Sequence, residues 1–311
     1  MSGPAPLPEG FSVGHFSDPE GMTGCTVVIP PPDTTGGVWV MGGGPGTRET
    51  DTLAPLSRSE EASAVLMTGG SAFGLAAADG VVRWLAEHDR GYPTPAGRVP
   101  LVPSAVIYDL ASGDPKARPG PEQGYAACEA AGGGIPARGA VGAGTGATVA
   151  KLLGREGASQ GGVGYASAVS GSGHTVAVIA VANGAGDVLS EDGSLLAGPR
   201  GEDGETRSGA EALAAMEAMP DLRVPEGNTT LACICTDAAL DKRGCGMVAR
   251  AATAGIARAV DPTFTPVDGD VAFCLASGMG APDPFAPMQL GAVAATVTAA
   301  AIRDAVRSGS R

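Results

Sequence analysis

The segment Gly227-Asn228-Thr229-Thr230-Leu231 sets an amide side chain and two hydroxyls where a long polar stretch gives way to an apolar run. A threonine hydroxyl in that place can attack the carbonyl carbon of the residue before it. The acyl group then shifts from nitrogen to oxygen, water releases the upstream chain, and Thr229 becomes an N-terminal residue. Its new α-amine, with an ordinary pKa of roughly 7.7 to 8.0, can accept the proton of its own hydroxyl near neutral pH. Such a nucleophile needs no histidine. Taken alone, the segment also reads as a turn followed by two β-favouring threonines, and it leaves both readings open.

Other chemistries find less support. A serine or cysteine hydrolase needs a histidine base, and His15, His88 and His174 stand in no recognisable motif. The six cysteines contain no CxxC pair and no histidine at metal-ligand spacing, so no zinc site is expected. Gly142, Gly144 and Ala147 match the GxGxxA form of a dinucleotide fingerprint. No strong strand precedes them, however, and no acidic residue follows at the required distance; Lys151 also lacks the Ser or Thr of a phosphate-binding loop. The stretch reads as a tight turn into a helix, and no organic cofactor or metal is implied.

Charge narrows the partners. With 33 acidic against 20 basic residues the formal charge is -13, which disfavours nucleic acid and anionic membrane surfaces and suits a neutral or cationic ligand. Met1 to Phe11 lacks the basic-then-apolar pattern of an export signal, and the expectation is a cytoplasmic protein with reduced thiols. The uncharged run from Pro284 to Ile302 repeats Leu290, Val293, Val297 and Ala301 at helical spacing, which predicts a helix buried in a core and not a membrane span. Fifty glycines and 25 prolines without a three-residue repeat predict many turns and closely packed backbones.

The elements that must position Thr229 follow from periodicity. Cys25 to Ile29 and Val38 to Met41 read as a hairpin or two neighbouring strands. Ala72 to Glu87 reads as a helix with Ser71 as N-cap, Ala105 to Tyr108 as a short strand, and Glu122 to Ala131 as a helix ended by glycines. Gly139 to Gly146 leads into a helix over Ala147 to Leu153, and Val163 to Ser170 with Thr175 to Ala182 predicts a hairpin. Gly184 to Glu226 reads as a surface connection with one helix near Ala210 to Met219. Thr230 to Thr236, a helix through Val248 to Ala259, Val271 to Ala276 and a final helix complete the chain. Paired strands between helices predict an α/β protein with a mixed sheet covered by helices.

Five stretches together carry a family resemblance: Thr23-Gly24-Cys25-Thr26-Val27, Pro45-Gly46-Thr47-Arg48-Glu49-Thr50-Asp51, Gly69-Gly70-Ser71-Ala72-Phe73-Gly74-Leu75, Val141 to Ala147, and Gly227-Asn228-Thr229-Thr230. Across almost its whole length the chain resembles the DmpA-like S58 peptidases, which include β-aminopeptidases, L-aminopeptidase/D-esterases and nylon-oligomer endohydrolases. The resemblance implies an αββα sandwich with mixed and antiparallel sheets. It also implies a precursor that splits itself into a large chain, here 1–228, and a small one, 229–311, within one integrated domain. Such α/β pairs usually assemble as a tetramer.

By motif, the resemblance makes Thr229 the nucleophile, Asn183 an oxyanion-hole donor, Tyr108 a wall of the same site, and Lys151 a lysine near the nucleophile. Asp268 and Asp270 match the pair that orients the nucleophile and its ammonium, although Asp-Gly-Asp alone reads as a surface turn. Val106 stands where aminopeptidase members tend to carry an acid that grips a free amine. The run Ser104 to Asp109 is therefore more similar to the nylon-oligomer branch, and the expected substrate is a small peptide or ω-amino-acid amide. Alternatives are an aminopeptidase or esterase, an acyltransferase like the structurally similar ornithine acetyltransferases, and an uncleaved binding protein.

Overall fold

The computed structural model describes residues 4–201, 203–216 and 227–309. Along the chain come strands β1 (Ser12–Asp18), β2 (Thr23–Ile29), β3 (Thr35–Val40) and β4 (Val65–Thr68), helix α1 (Ala77–Glu87), strand β5 (Ser104–Val106) and helix α2 (Pro121–Glu129). The hairpin β6 (Gly162–Val169) and β7 (Thr175–Asn183) follows, then β8 (Thr229–Thr236), α3 (Lys242–Ala259), β9 (Val271–Ala276) and α4 (Ala286–Gly309).

Two five-stranded sheets stack face to face. One runs β1-β2-β4-β5 and ends on the two-residue strand Thr47–Arg48; the other runs β6-β7-β8-β9-β3. In the second sheet β7 and β8 pair antiparallel, β8 and β9 parallel, and β9 and β3 antiparallel. Strand alternation divides the side chains of β8 between two cores. Leu231, Cys233 and Cys235 face the first sheet with Val28, Met67 and Ile107, while Ala232 and Ile234 face Val248, Ile256, Leu290 and Val297 of α3 and α4. On the far side, Cys25, Val27 and Leu66 pack against Val81, Leu85 and Cys128 of α1 and α2. The result is the αββα sandwich that the family resemblance implies.

Backbones do approach closely where glycine is spent. A Cβ on Gly80 would stand 1.7 Å from the Pro121 carbonyl oxygen, and one on Gly124 would stand 1.9 Å from that of Ala77, so α1 and α2 touch main chain to main chain. No described helix is long and apolar enough to cross a membrane, and α4 is a buried core helix.

Several elements differ from their expectation. Strands β2 and β3 are not neighbours: β1 and β4 occupy both edges of β2, so the chain crosses to the other sheet and β3 pairs with β9. The Ala72 to Glu87 helix is interrupted into Ser71–Gly74 and α1, and Ser71 is not an N-cap. Ser71 itself adopts φ 53°, and its N–H donates to the Ile107 carbonyl. No helix follows the glycine-rich loop; Thr148–Val149 pairs with Ser159–Gln160, and Ala150 turns the chain through φ 59°. The backbone N–H groups of Gly142 and Ala143 are taken by the Ser17 and Thr26 hydroxyls, which explains a GxGxxA spacing that serves packing. Part of the polar connection is ordered as a small sheet of Leu195–Ala197, Asp187–Leu189 and Val260–Asp261. The helix expected near Ala210 to Met219 spans Gly209–Ala214, and the end of that expectation lies outside the described residues.

Candidate active site

The expected cleavage point sits at the mouth of a central strand. β8 is flanked on both sides, and all eight of its residues are buried. Thr229 lies in register with Asn183 at the end of β7, and Asn228 forms a bridge to Asp268 just before β9. The sheet thus gathers Asn183, Asn228, Thr229, Asp268 and Asp270 at one end, from three chain segments distant in sequence. Asn228 and Thr229 are each only 5% exposed, so this peptide bond is closed to an external protease.

The carbonyl oxygen of Asn228 receives two donors. The Thr229 hydroxyl Oγ1 stands 2.5 Å away, and the backbone N–H of Gly269 donates from 2.7 Å. Gly269 is required by packing: a Cβ there would stand 2.7 Å from Thr229 Oγ1 and 2.9 Å from the Gly44 carbonyl oxygen. The loop Gly42 to Pro45 therefore lies directly beside the hydroxyl. It is tied down by Gly44 N–H on the Asp268 carbonyl and by Gly42 N–H on that of Asp270.

Asp268 and Asp270 are buried, so Asp-Gly-Asp is no surface turn. Asp268 accepts from the backbone N–H and hydroxyl of Thr265 and from Ala185 N–H; Asp270 accepts from the N–H of Thr230 and Phe264 and from the Thr263 hydroxyl. Six donors allow two carboxyls to persist in a low-dielectric site. Burial, reinforced by the neighbouring Asp268, raises the pKa of Asp270 to about 7.

Asn183 is fully buried. Its Oδ1 accepts from Thr148 N–H at 3.0 Å, and its Nδ2 points to the Tyr108 carbonyl at 3.4 Å. The Lys151 ammonium, also buried, donates to the Asn183 carbonyl oxygen at 2.9 Å. Lys151 reaches it from the turn after Ala150, where its own N–H binds the Ala185 carbonyl. Tyr108, just beyond β5, adjoins the segment before Asn228: a Cβ on Gly227 would fall 2.4 Å from the Cβ of Tyr108. Every residue expected at the site is thus within this cluster or joined to it by one contact.

Gly269, Thr263, Thr265 and Asp109 were not singled out by sequence. Asp109 receives Gly70 N–H and the Thr23 hydroxyl, each at 2.7 Å, and so fastens two of the recurring motifs behind Tyr108. Its signal was adjacency to Tyr108; that of Gly269 was its place between two acids. The histidines lie elsewhere: His15 pairs with Thr26, His88 stacks on Trp84, and His174 faces Asp237.

The sequence profile of peptidase family S58 matches residues 9–310. The chain belongs to peptidase family S58. This S58 member is an amide-bond hydrolase, and among its relatives is a Mycobacterium tuberculosis protein named an uncharacterized aminopeptidase. The two are 46% identical over 293 residues, covering 89% of this chain and 82% of the relative. A 6-aminohexanoate-oligomer endohydrolase of a Kocuria species is 30% identical over 272 residues, covering 86% of this chain and 72% of that one. Among solved structures, a Burkholderia β-aminopeptidase superposes with a TM-score of 0.69 over 96% of this chain and 84% of its own, at 24% identity. The L-aminopeptidase D-Ala-esterase/amidase of Ochrobactrum anthropi, described as a variant of the Ntn hydrolase fold, gives 0.68 at 19% identity with the same coverages. The S58 sandwich here shares that fold.

Proposed function

We propose that this S58 hydrolase activates itself by cleaving Asn228–Thr229 and then hydrolyses small peptide or ω-amino-acid amides through the freed Thr229. The observation that carries the reading is the buried Thr229 hydroxyl on the carbonyl of its own preceding residue, 2.5 Å from the oxygen, with a backbone amide on that same oxygen.

In self-cleavage, Thr229 Oγ forms a bond to the Asn228 carbonyl carbon and the C–N bond breaks. The hydroxyl proton ends on the Thr229 nitrogen. Water then hydrolyses the resulting ester, leaving a carboxyl on Asn228 and restoring the hydroxyl. In turnover, the α-amine of Thr229 takes the hydroxyl proton as Oγ attacks the substrate carbonyl and returns it to the leaving amine; water, deprotonated by the same amine, then cleaves the acyl ester, releasing the acid and restoring the hydroxyl. Asn183 Nδ2 serves as an oxyanion donor, and Tyr108 walls the substrate side. Asp268 and Asp270 hold strand β8 and the new ammonium, while Lys151 fixes the Asn183 main chain. The mature form is 1–228 paired with 229–311, in an assembly of such pairs.

Substrate choice rests on Val106. This residue is buried and apolar, its N–H donates to the Gly46 carbonyl, and a Cβ on Gly46 would stand 2.4 Å from its Cγ2. No carboxylate occupies that position to grip a substrate amine, which favours an amide recognised away from its N-terminus, as in the oligomer endohydrolase relative. Intact-mass analysis with N-terminal sequencing tests the core of the proposal. Two chains are expected, the smaller beginning at Thr229; a single chain that hydrolyses amides would refute it.

A further inference from the structure

In the uncleaved chain the Asn183 carboxamide is engaged elsewhere than on the Asn228 carbonyl. Asn183 Oδ1 holds Thr148 N–H, and its Nδ2 is directed at the Tyr108 carbonyl. The Asn228 oxygen is instead met by Gly269 N–H at 2.7 Å. That amide is held from both sides. Asp268 is anchored on Thr265 and Ala185, and Asp270 on Thr230, Thr263 and Phe264, so the peptide unit between them cannot turn without breaking buried hydrogen bonds. The absent Cβ at 269 leaves the space beside Thr229 Oγ1 open.

We infer that the backbone N–H of Gly269 is the oxyanion donor for self-cleavage at Asn228, distinct from the Asn183 donor proposed for substrate turnover. This rests on the self-processing reading above and adds a division of labour within it. As Thr229 Oγ bonds to the Asn228 carbon, the carbonyl π pair moves onto oxygen, where a donor already in hydrogen-bond contact needs no reorganisation to stabilise it. When the intermediate collapses, the C–N bond breaks and the nitrogen retains the hydroxyl proton. The donor has done its task once, and the carbonyl it served leaves with the upstream chain's carboxyl terminus. On this account the Asp-Gly-Asp element acts first as a clamp for a main-chain donor and only later as a neighbour of the new ammonium.

Incorporating glycolic acid at position 269 of the full chain converts the Asp268–Gly269 amide to an ester and deletes that one N–H without altering any side chain. Self-cleavage, followed by intact mass over time, should slow by about 10²- to 10³-fold, the usual cost of one oxyanion donor. Asn183→Ala should split at the parent rate yet lose turnover. An ester chain that splits at the parent rate, or an Asn183→Ala chain that fails to split, overturns the inference. Should the ester chain not fold by circular dichroism, the uncleaved Thr229→Ala chain decides. Through-hydrogen-bond NMR coupling between the Gly269 nitrogen and the Asn228 carbonyl carbon supports the donor, and its absence removes it. Splitting of Thr229→Ala itself would sink the self-processing reading; a parent-rate ester chain beside intact Thr229→Ala removes only this donor.

Discussion

Gly269→Ala adds a methyl at a crowded point of the site, against the Thr229 hydroxyl, while keeping the main-chain N–H. Gly269 does not adopt a left-handed conformation, so alanine brings no backbone strain and the effect is steric alone. Its Cβ would stand 2.7 Å from Thr229 Oγ1 and 2.9 Å from the Gly44 oxygen, whereas ordinary contact begins at 3.4 Å. The Gly44 side is fastened to Asp268, so the hydroxyl must give most of the difference, about 0.7 Å. A displacement of ~1 Å at a reacting atom can cost on the order of 10²-fold, so self-cleavage should slow by about 10- to 100-fold. Overpacking of this kind should also lower stability by about 1–3 kcal/mol. The assay is a time course of intact mass on freshly translated precursor, paired with a urea melt. Cleavage at the parent rate, with stability reduced as expected, would refute the placement of Thr229 Oγ1 beside Gly269.

Other expectations are independent of that one. Thr229→Ala should give a full-length, inactive chain by mass spectrometry and amide-hydrolysis assay. Asn183→Ala should lower kcat by about 10²- to 10³-fold with the fold intact by circular dichroism. Burial, with Asp268 beside it, lifts the folded pKa of Asp270 to about 7 from the ordinary 3.8. The folded chain therefore binds more protons than the unfolded one between those values, and stability falls as pH rises from about 4 to 7, by up to ~4 kcal/mol. In the uncleaved Thr229→Ala background, Asp270→Asn should flatten that slope in denaturant titrations; an unchanged slope would assign it elsewhere. The buried Lys242 ammonium donates to the carbonyls of Thr52, Ser57 and Ser59, so Lys242→Met should destabilise the chain by about 2–4 kcal/mol in urea unfolding.

Much of this was legible along the chain because periodicity is a local property. Val271–Ala276 matches its expected strand end to end, β8 begins one residue earlier than read, and the uncharged C-terminal run is the buried helix its spacing predicted. The family resemblance, not spacing, pointed to Asn183 and Asp268 beside Thr229. Partners were less legible. Nothing local distinguishes β2 and β3 from a hairpin, because their separation depends on β1 and β4 already occupying the edges of β2. Lys151 was placed on a helix because alanine and leucine around it favour one, yet β-branched Thr148 and Val149 found a strand partner and Ala150 turned the chain.

The sequence alone determined the residue types available for chemistry, the charge balance that favours neutral or cationic ligands, and the hydrophobic repeats that build four layers. Only the tertiary structure decided that the Asn228–Thr229 bond is buried at a strand mouth, that Asp-Gly-Asp lies inside with six donors around it, and that Gly269 N–H meets the Asn228 carbonyl. The reason is physical. Propensity and periodicity act over a few neighbouring residues, whereas a hydrogen bond from residue 269 to residue 228 forms only after β8 and β9 have paired in register, and that register is set by burying both faces of the sheet at once.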